Sequence, residues 1–176
     1  MPEHHSEGRK ALLVLHRCCR ATGNELTEPE LPEVHTARLD ELTPRALLGI
    51  LAVRQAVFVV EQNCVYPDID ASDAGAETRH LWIEDADGEV VSTLRLLRDA
   101  GGGHRIGRVA THAGSRGRGY SSALMRRAIE LADLPIVLSA QSYLVGWYGT
   151  FGFEEHGERW IEDGIEHAPM RLEVRR

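Results

Sequence analysis

Arg116-Gly117-Arg118-Gly119-Tyr120-Ser121-Ser122-Ala123-Leu124 is a glycine-rich turn that runs straight into an apolar-periodic segment. Such a turn presents bare backbone amides: two glycines remove the side chains that would hold a ligand off, and the helix that follows offers its first unpaired N–H groups. Arg116 and Arg118 add positive charge of fixed sign. Two well-known phosphate loops fail on these residues. Gly114 and Gly119 have nucleotide-triphosphatase spacing, but Tyr120 stands where the phosphate-binding Lys belongs. A dinucleotide fingerprint needs a third glycine at position 122, which is Ser, and an acid about 20 residues on, and none lies nearer that distance than Asp133. An ordinary helix start capped by Ser121 or Ser122 fits the loop taken alone equally well.

Downstream of the loop, Leu124, Met125, Ala128, Ile129 and Ala132 give one apolar helical face, with Arg126, Arg127 and Glu130 opposite. Upstream, Arg105 to Thr111 reads as a strand after the Gly101-Gly102-Gly103 turn. Thr78 to Glu84 and Glu89 to Arg98 read as a hairpin about Asp87-Gly88. Before them, Val34 to Leu39 alternates as a first strand, and Thr43-Pro44 starts a helix that the spacing of Leu47, Leu48, Leu51 and Phe58 carries to about Val60. Glu61 to Glu77 has no period and reads as a long loop. Beyond the central helix come an apolar strand at Ile136 to Ala140, a short helix at Tyr143 to Thr150, and closing strands near Phe153 to Arg159 and Ala168 to Val174. The order β-α-β-β-β-α-β-α-β-β predicts an α/β (α+β) fold. It has a mixed central sheet of about six or seven strands flanked by helices, with the glycine loop between a central strand and its helix.

A chain of 176 residues is sized for one domain, and 43% hydrophobic with 27% charged residues is globular composition without a membrane-length apolar run. Residues 1–33 read as an N-terminal extension with a short helix near Ala11 to Cys19, and residues 34–176 as the domain. Ala11 to Leu15 is too short for a signal-peptide core, so a cytoplasmic location is expected. Cys18, Cys19 and Cys64 make neither a disulfide framework nor a zinc pattern. A net charge of −7 argues against a nucleic-acid surface. Its distribution is uneven: residues 95 to 127 hold eight arginines and one acid, residues 62 to 92 eight acids and one base, and a second acidic run spans Glu154 to Glu166. These are either solvated faces of opposite sign, or a basic pole for an anionic cofactor and an acidic pole for a cationic substrate.

Arg116-x-x-Gly119-x-Ser121 before the long helix, and Trp147-Tyr148-Gly149-Thr150-Phe151-Gly152-Phe153 after the fifth strand, resemble the GCN5-related N-acetyltransferases (GNAT) from about residue 34 to the end. Further segments resemble the ElaA-like subgroup. They are Phe58-Val59-Val60-Glu61-Gln62-Asn63-Cys64, Tyr66-Pro67-Asp68-Ile69-Asp70, Arg79-His80, Ile106-Gly107-Arg108, Ala140-Gln141 and Glu162-Asp163-Gly164-Ile165-Glu166-His167.

The resemblance implies acetyl-CoA as co-substrate and no metal. It implies that amides of Arg116, Gly117, Arg118, Gly119, Tyr120, Ser121 and Ser122 hold the pyrophosphate, and that Val109, Ala110 and Thr111 pair with the pantetheine arm and polarise the thioester carbonyl. Ser121 departs from the family's usual Gly or Ala, which implies a weaker or slightly shifted cofactor contact. Gln141 falls where relatives often carry an amide that reaches the cofactor arm. Tyr148 matches the family's acid beside the cofactor sulfur, although a Tyr there also serves to close a core.

For the base, Glu61 and His80 are candidates. Desolvation at the end of an apolar helix would raise Glu61 toward neutrality, while His80 on an apolar strand fits a hydrogen-bonded core histidine as well as a base, and a water relay is the third option. Asp68, Asp70 and Asp73 lack the spacing of a calcium loop and are expected to line the acceptor site. Arg108 is either an anchor for that acidic loop or a plain surface charge.

The expected activity is acetyl transfer to a primary amine of a small molecule or protein. The alternative is a CoA-binding sensor without turnover. Neither nucleic acid nor membrane is an expected partner; a homodimer is compatible with the sequence.

Overall fold

The structure is a computed structural model that describes residues 32–174. The short helix expected near Ala11 to Cys19 lies outside the described residues. Strand β1 (His35–Ala37) is followed by helix α1 (Pro44–Arg54), whose start is set by Thr43: its hydroxyl accepts from the Ala46 amide at 3.1 Å, and Pro44 needs no hydrogen-bond partner at the first position. The helix runs on without a break through Gln55–Glu61, but there the turn widens to π geometry, with the Gln62 amide on the Val57 carbonyl at 3.0 Å. The sequence period predicts the length of this helix and not its widened last turns, which leave Phe58, Glu61 and Gln62 on the wall of a cavity.

Strands β2 (Arg79–Glu84), β3 (Val90–Arg98) and β4 (His104–Thr111) form an antiparallel meander, helix α2 (Tyr120–Leu131) crosses over, and β5 (Ile136–Gln141) pairs parallel to β4. Helix α3 (Val145–Gly149) leads to β6 (Glu154–Glu155), β7 (Trp160–Glu162) and β8 (Ile165–Leu172). The result is one eight-stranded sheet in the order β1-β2-β3-β4-β5-β8-β6, with β7 also on β8 and all pairs but β4–β5 antiparallel. The closing strands number three, not the expected two. Asp163 (φ 50°) and Gly164 (φ 79°) make a two-residue turn that folds β7 onto β8.

Alternation on β2 sends Leu81 and Ile83 to one face of the sheet and Trp82 to the other. The first face packs on Leu124, Met125 and Ala128 of α2, all fully buried, each of the larger two contributing about 1.5–3 kcal/mol. The second packs on Ala46 and Ile50 of α1, while Val53 and Val57 reach Ala110 of β4. No described helix is long and apolar enough to cross a membrane.

Two local features open the sheet at its centre. Strands β4 and β5 pair only through His104–Ile136 and Arg105–Val137, then diverge. Strand β4 also carries a bulge: Arg95 faces Gly107 and Thr93 faces Ala110, so Leu94 opposes both Arg108 and Val109, and Arg108 adopts φ 53°. The closed end of the split is held by Gly103 (φ 71°), where a Cβ would overlap the Pro135 carbonyl that accepts from the His104 amide at 3.0 Å. Gly103→Ala is therefore expected to lower stability by roughly 3 kcal/mol, from strain and overpacking together. Urea denaturation checks this, and an unchanged midpoint contradicts it.

Candidate functional site

The split between β4 and β5 leads into a cavity of about 1070 Å³. Its walls come from the edge of β4 (Val109, Ala110, Thr111), the π turn, the glycine loop, β5, α3 and the β7–β8 hairpin. Because β5 leaves β4 after two residue pairs, the outer edge of Val109 to Thr111 has no neighbouring strand, and an extended amide-bearing arm fits there as a strand would.

At one end lies the glycine loop. Gly117 (φ 76°) and Gly119 (φ 80°) occupy the left-handed region, and a Cβ at either would meet nothing within 4 Å. Both open onto the cavity, so the loop is a cradle whose floor is backbone. Gly119 is the residue before α2, and no side chain caps that helix, which leaves its first amides and the positive end of its dipole facing the cavity. Neither Ser121 nor Ser122 is the cap of an ordinary helix start. Ser121 turns its hydroxyl to Thr111 Oγ1 at 2.6 Å, and Thr111 in turn meets Ser92 Oγ at 2.7 Å. The departure from Gly or Ala thus ties the loop to β4. These features fit the diphosphate and pantetheine of a CoA thioester. Arg116, Gly117, Gly119, Tyr120, Ser121 and Ser122 all line the cavity; Arg118 is not among the lining residues.

Arg116 is engaged within the chain: its Nη2 donates to Glu61 Oε2 at 2.6 Å and its Nε to the Thr111 carbonyl at 3.2 Å. That bond reverses the expectation for Glu61. Hydrogen bonding to Arg116, against weak desolvation, holds the Glu61 carboxyl below the usual range, so it is a poor proton acceptor at neutral pH.

Tyr148 lies on α3, 5% exposed, wedged edge-on against Trp147 (4.7 Å) and Phe153 (6.3 Å). Its ring lines the cavity, and no described residue hydrogen-bonds its hydroxyl. Burial pushes the phenol well above its ordinary value, so it stays a donor throughout the working range. Gln141, at the end of β5, reaches across the cavity instead of along it: its Nε2 donates to Gln62 Oε1 at 3.0 Å, and its Oε1 accepts from the Tyr143 hydroxyl.

The other proposed base and the proposed acceptor acids sit elsewhere. His80 is 1% exposed and absent from the cavity wall; its Nε2 donates to the Asp73 carbonyl at 3.0 Å, and burial lowers its proton affinity. It is a core histidine. Asp68 and Asp73 are buried and Asp70 partly so, and none of the three lines the cavity. Arg54 binds Asp68 and Asp73 (2.8 and 2.7 Å), Arg95 binds Asp70 and Asp73 (2.9 and 2.7 Å), and Arg108 binds Asp68 and Asp70 (2.8 and 3.2 Å). The Arg108–Asp68 contact is an ion pair without hydrogen-bond geometry to Oδ1, while the same guanidinium donates to the Asp68 carbonyl at 3.1 and 3.2 Å. The acidic loop is thus neutralised by arginines of α1, β3 and β4, and Arg108 is one of its anchors.

Three carboxylates line the cavity: Glu61, which Arg116 neutralises, and Glu162 and Asp163 of the β7–β8 turn, which have no cationic partner among the described residues. The acidic end of the site is this turn and not the acidic loop. The sequence marked this segment as part of an acidic run and of the ElaA-like resemblance but named none of its residues for the site, although Asp-Gly between Trp160-Ile161 and Ile165 is a hairpin pattern.

The matching family model is the acetyltransferase (GNAT) domain, over residues 46–174. A UPF0039 protein of Mycobacterium tuberculosis is 46% identical over 134 residues, 74% of this chain and 86% of that one. ElaA of Escherichia coli is 38% identical over 143 residues, 76% of this chain and 92% of its own, and its crystal structure superposes with a TM-score of 0.75 over 81% of this chain and 100% of that one. The crystal structure of an acyl-CoA N-acyltransferase from Pseudomonas aeruginosa is similar at 35% identity and a TM-score of 0.74, over 80% and 99% of the two chains. Sequence, sheet topology and the open β4–β5 split agree: the chain belongs to the GNAT family of acyltransferases and is a homologue of ElaA.

Proposed function

We propose that the protein transfers the acetyl group of acetyl-CoA to a primary amine, on a small molecule or a protein, by direct attack on the thioester, and that the acceptor carries positive charge beyond the reacting nitrogen. One observation carries this reading. Among the described residues, a single cavity brings together a glycine-loop backbone cradle, a free strand edge, a buried phenol without a hydrogen-bond partner and, on the β7–β8 hairpin, two carboxylates without a cation. The cradle at Gly117 and Gly119 and the α2 N-terminus hold the diphosphate. The edge of Val109 to Thr111 aligns the arm, and an amide on that edge polarises the thioester carbonyl, which is where charge grows during attack. Tyr148 donates a hydrogen bond to the departing sulfur. Glu162 and Asp163 draw a cationic acceptor.

The test follows free thiol from acetyl-CoA across a panel of polyamines, aminoglycosides and peptides with free N-termini or lysines, beside calorimetry with acetyl-CoA and CoA. Turnover with at least one amine is expected. Tight binding with no turnover across the panel would instead favour a sensor of CoA. With a diamine acceptor, neutralising both carboxylates (Glu162→Gln with Asp163→Asn) is expected to raise KM on the order of tenfold with little change in kcat. An unchanged KM would remove that turn from the acceptor site.

A further inference from the structure

We propose that His167 is the general base that takes the proton from the acceptor amine. The assignment rests on the acetyltransferase reading above.

Amine attack on a thioester needs a neutral nitrogen, yet amines are mostly protonated near neutral pH, so a proton acceptor must stand at the acceptor end of the cavity. Glu61 is bound to Arg116, and His80 is buried with its Nε2 on the Asp73 carbonyl. The guanidinium beside Glu61 makes its carboxylate a weak base, and His80 does not line the cavity. Among the described residues, His167 is the one histidine on the cavity wall.

Its geometry is that of a positioned base. The Nδ1 atom lies 3.0 Å from the Ile165 carbonyl oxygen, and a carbonyl only accepts, so Nδ1 carries the hydrogen. In the neutral ring the lone pair is then on Nε2, for which no described residue supplies a partner. Trp160, its register partner on β7, stacks against the ring at 5.7 Å and 23° and fixes its plane. On the other side, His167 is the register partner of Gln141 on β5, whose side chain crosses the cavity to Gln62. Cross-strand partners project from the same face of a sheet. The imidazole thus stands beside the amide pair that spans the cavity, on the strand whose turn carries Glu162 and Asp163. Those carboxylates attract the ammonium form to the place where His167 can deprotonate it.

The protons balance. Nε2 takes one proton from the ammonium group, giving an imidazolium that later releases it to solvent. The amine nitrogen then bonds to the thioester carbon and the C–S bond breaks. The second nitrogen proton passes to solvent as the amide forms, and the leaving thiolate, hydrogen-bonded by Tyr148, takes up one proton from solvent to end as a thiol.

The experiment measures thiol release by the wild type, His167→Ala and His167→Asn; the Asn side chain can keep a donor on the Ile165 carbonyl but has no basic nitrogen. Acceptors are putrescine, or the best amine of the panel, and hydroxylamine, which is neutral at the assay pH. Both variants are expected to lose about 10²-fold in kcat/KM with the ammonium-type amine and much less with hydroxylamine. Acetyl-CoA affinity should be unchanged, and added imidazole should partly restore His167→Ala. A variant as active as wild type would overturn the assignment, as would an equal loss with both acceptors and no rescue. A wild type that releases no thiol with any amine would be a failure of the acetyltransferase reading itself. Nitrogen-15 NMR of the imidazole is an independent readout: the Nδ1-protonated tautomer is expected, and the Nε2-protonated one would also overturn the proposal.

Discussion

Tyr148→Phe is expected to lower kcat by about 10²–10³-fold, equivalent to roughly 3–4 kcal/mol of transition-state stabilisation, while acetyl-CoA binds as before. The substitution removes one oxygen and keeps the ring that packs on Trp147 and Phe153. The hydroxyl has no partner among the described residues, so its loss orphans no buried donor or acceptor, and stability should hold or rise slightly. What disappears, on the proposed reading, is the donor to the departing sulfur. Because burial raises the phenol, kcat should show no descending limb from Tyr148 in the neutral range. Single-turnover kinetics with calorimetry on the same sample separates the two effects. Equal kcat values would exclude the hydroxyl from the chemistry, and a parallel loss of acetyl-CoA affinity would make it a binding residue.

The aromatic run from Trp147 to Phe153 was legible through its resemblance to the family's segment after β5, and the glycine loop because helix signals follow it directly; residues of both line the cavity. The acceptor end was not readable in that way. Asp68, Asp70 and Asp73 look like an exposed acidic loop until folding brings Arg54, Arg95 and Arg108 from α1, β3 and β4 onto them, and no local pattern announces partners 14 to 40 residues away. Glu61 failed for the same reason, since Arg116 is 55 residues distant. The place of Glu162, Asp163 and His167 on the cavity was not readable, because their hairpin is only three residues long on one side, too short for alternation to register, although its Asp-Gly turn was visible. Local signals marked the glycine loop that lines the cavity, and long-range ion pairing decided which acids and bases remain available.

The charge cluster that misleads the sequence reader also predicts a large stability effect. Arg54→Met is expected to destabilise the fold by about 3–5 kcal/mol at neutral pH, because it strands buried carboxylates and does not simply remove a contact. Arg54 is 1% exposed; its Nε and Nη2 bind the Asp68 carboxylate and carbonyl at 2.8 and 2.7 Å, and Nη1 binds Asp73 at 2.7 Å. Burial pushes Asp73 up, but hydrogen bonds from Arg54, Arg95 and the Asp70 amide overcome it and leave the carboxyl far below the ordinary range. A carboxyl depressed by folding contributes stability above its unfolded value of about 4, and that contribution is lost as pH falls toward the folded value. The wild type should therefore lose stability on acidification below about pH 5. The variant, whose Asp73 has lost its main donor, starts lower and should lose less, so the gap between them narrows in acid. Urea midpoints at a series of pH values read this directly. Since Asp68 and Asp70 also hold Arg108 in the β4 bulge, acetyl-CoA affinity should weaken in the variant even where it is fully folded. A gap that stayed constant with pH would mean that Arg54 acts through the packing of its stem, and the carboxylates would then have found other cations.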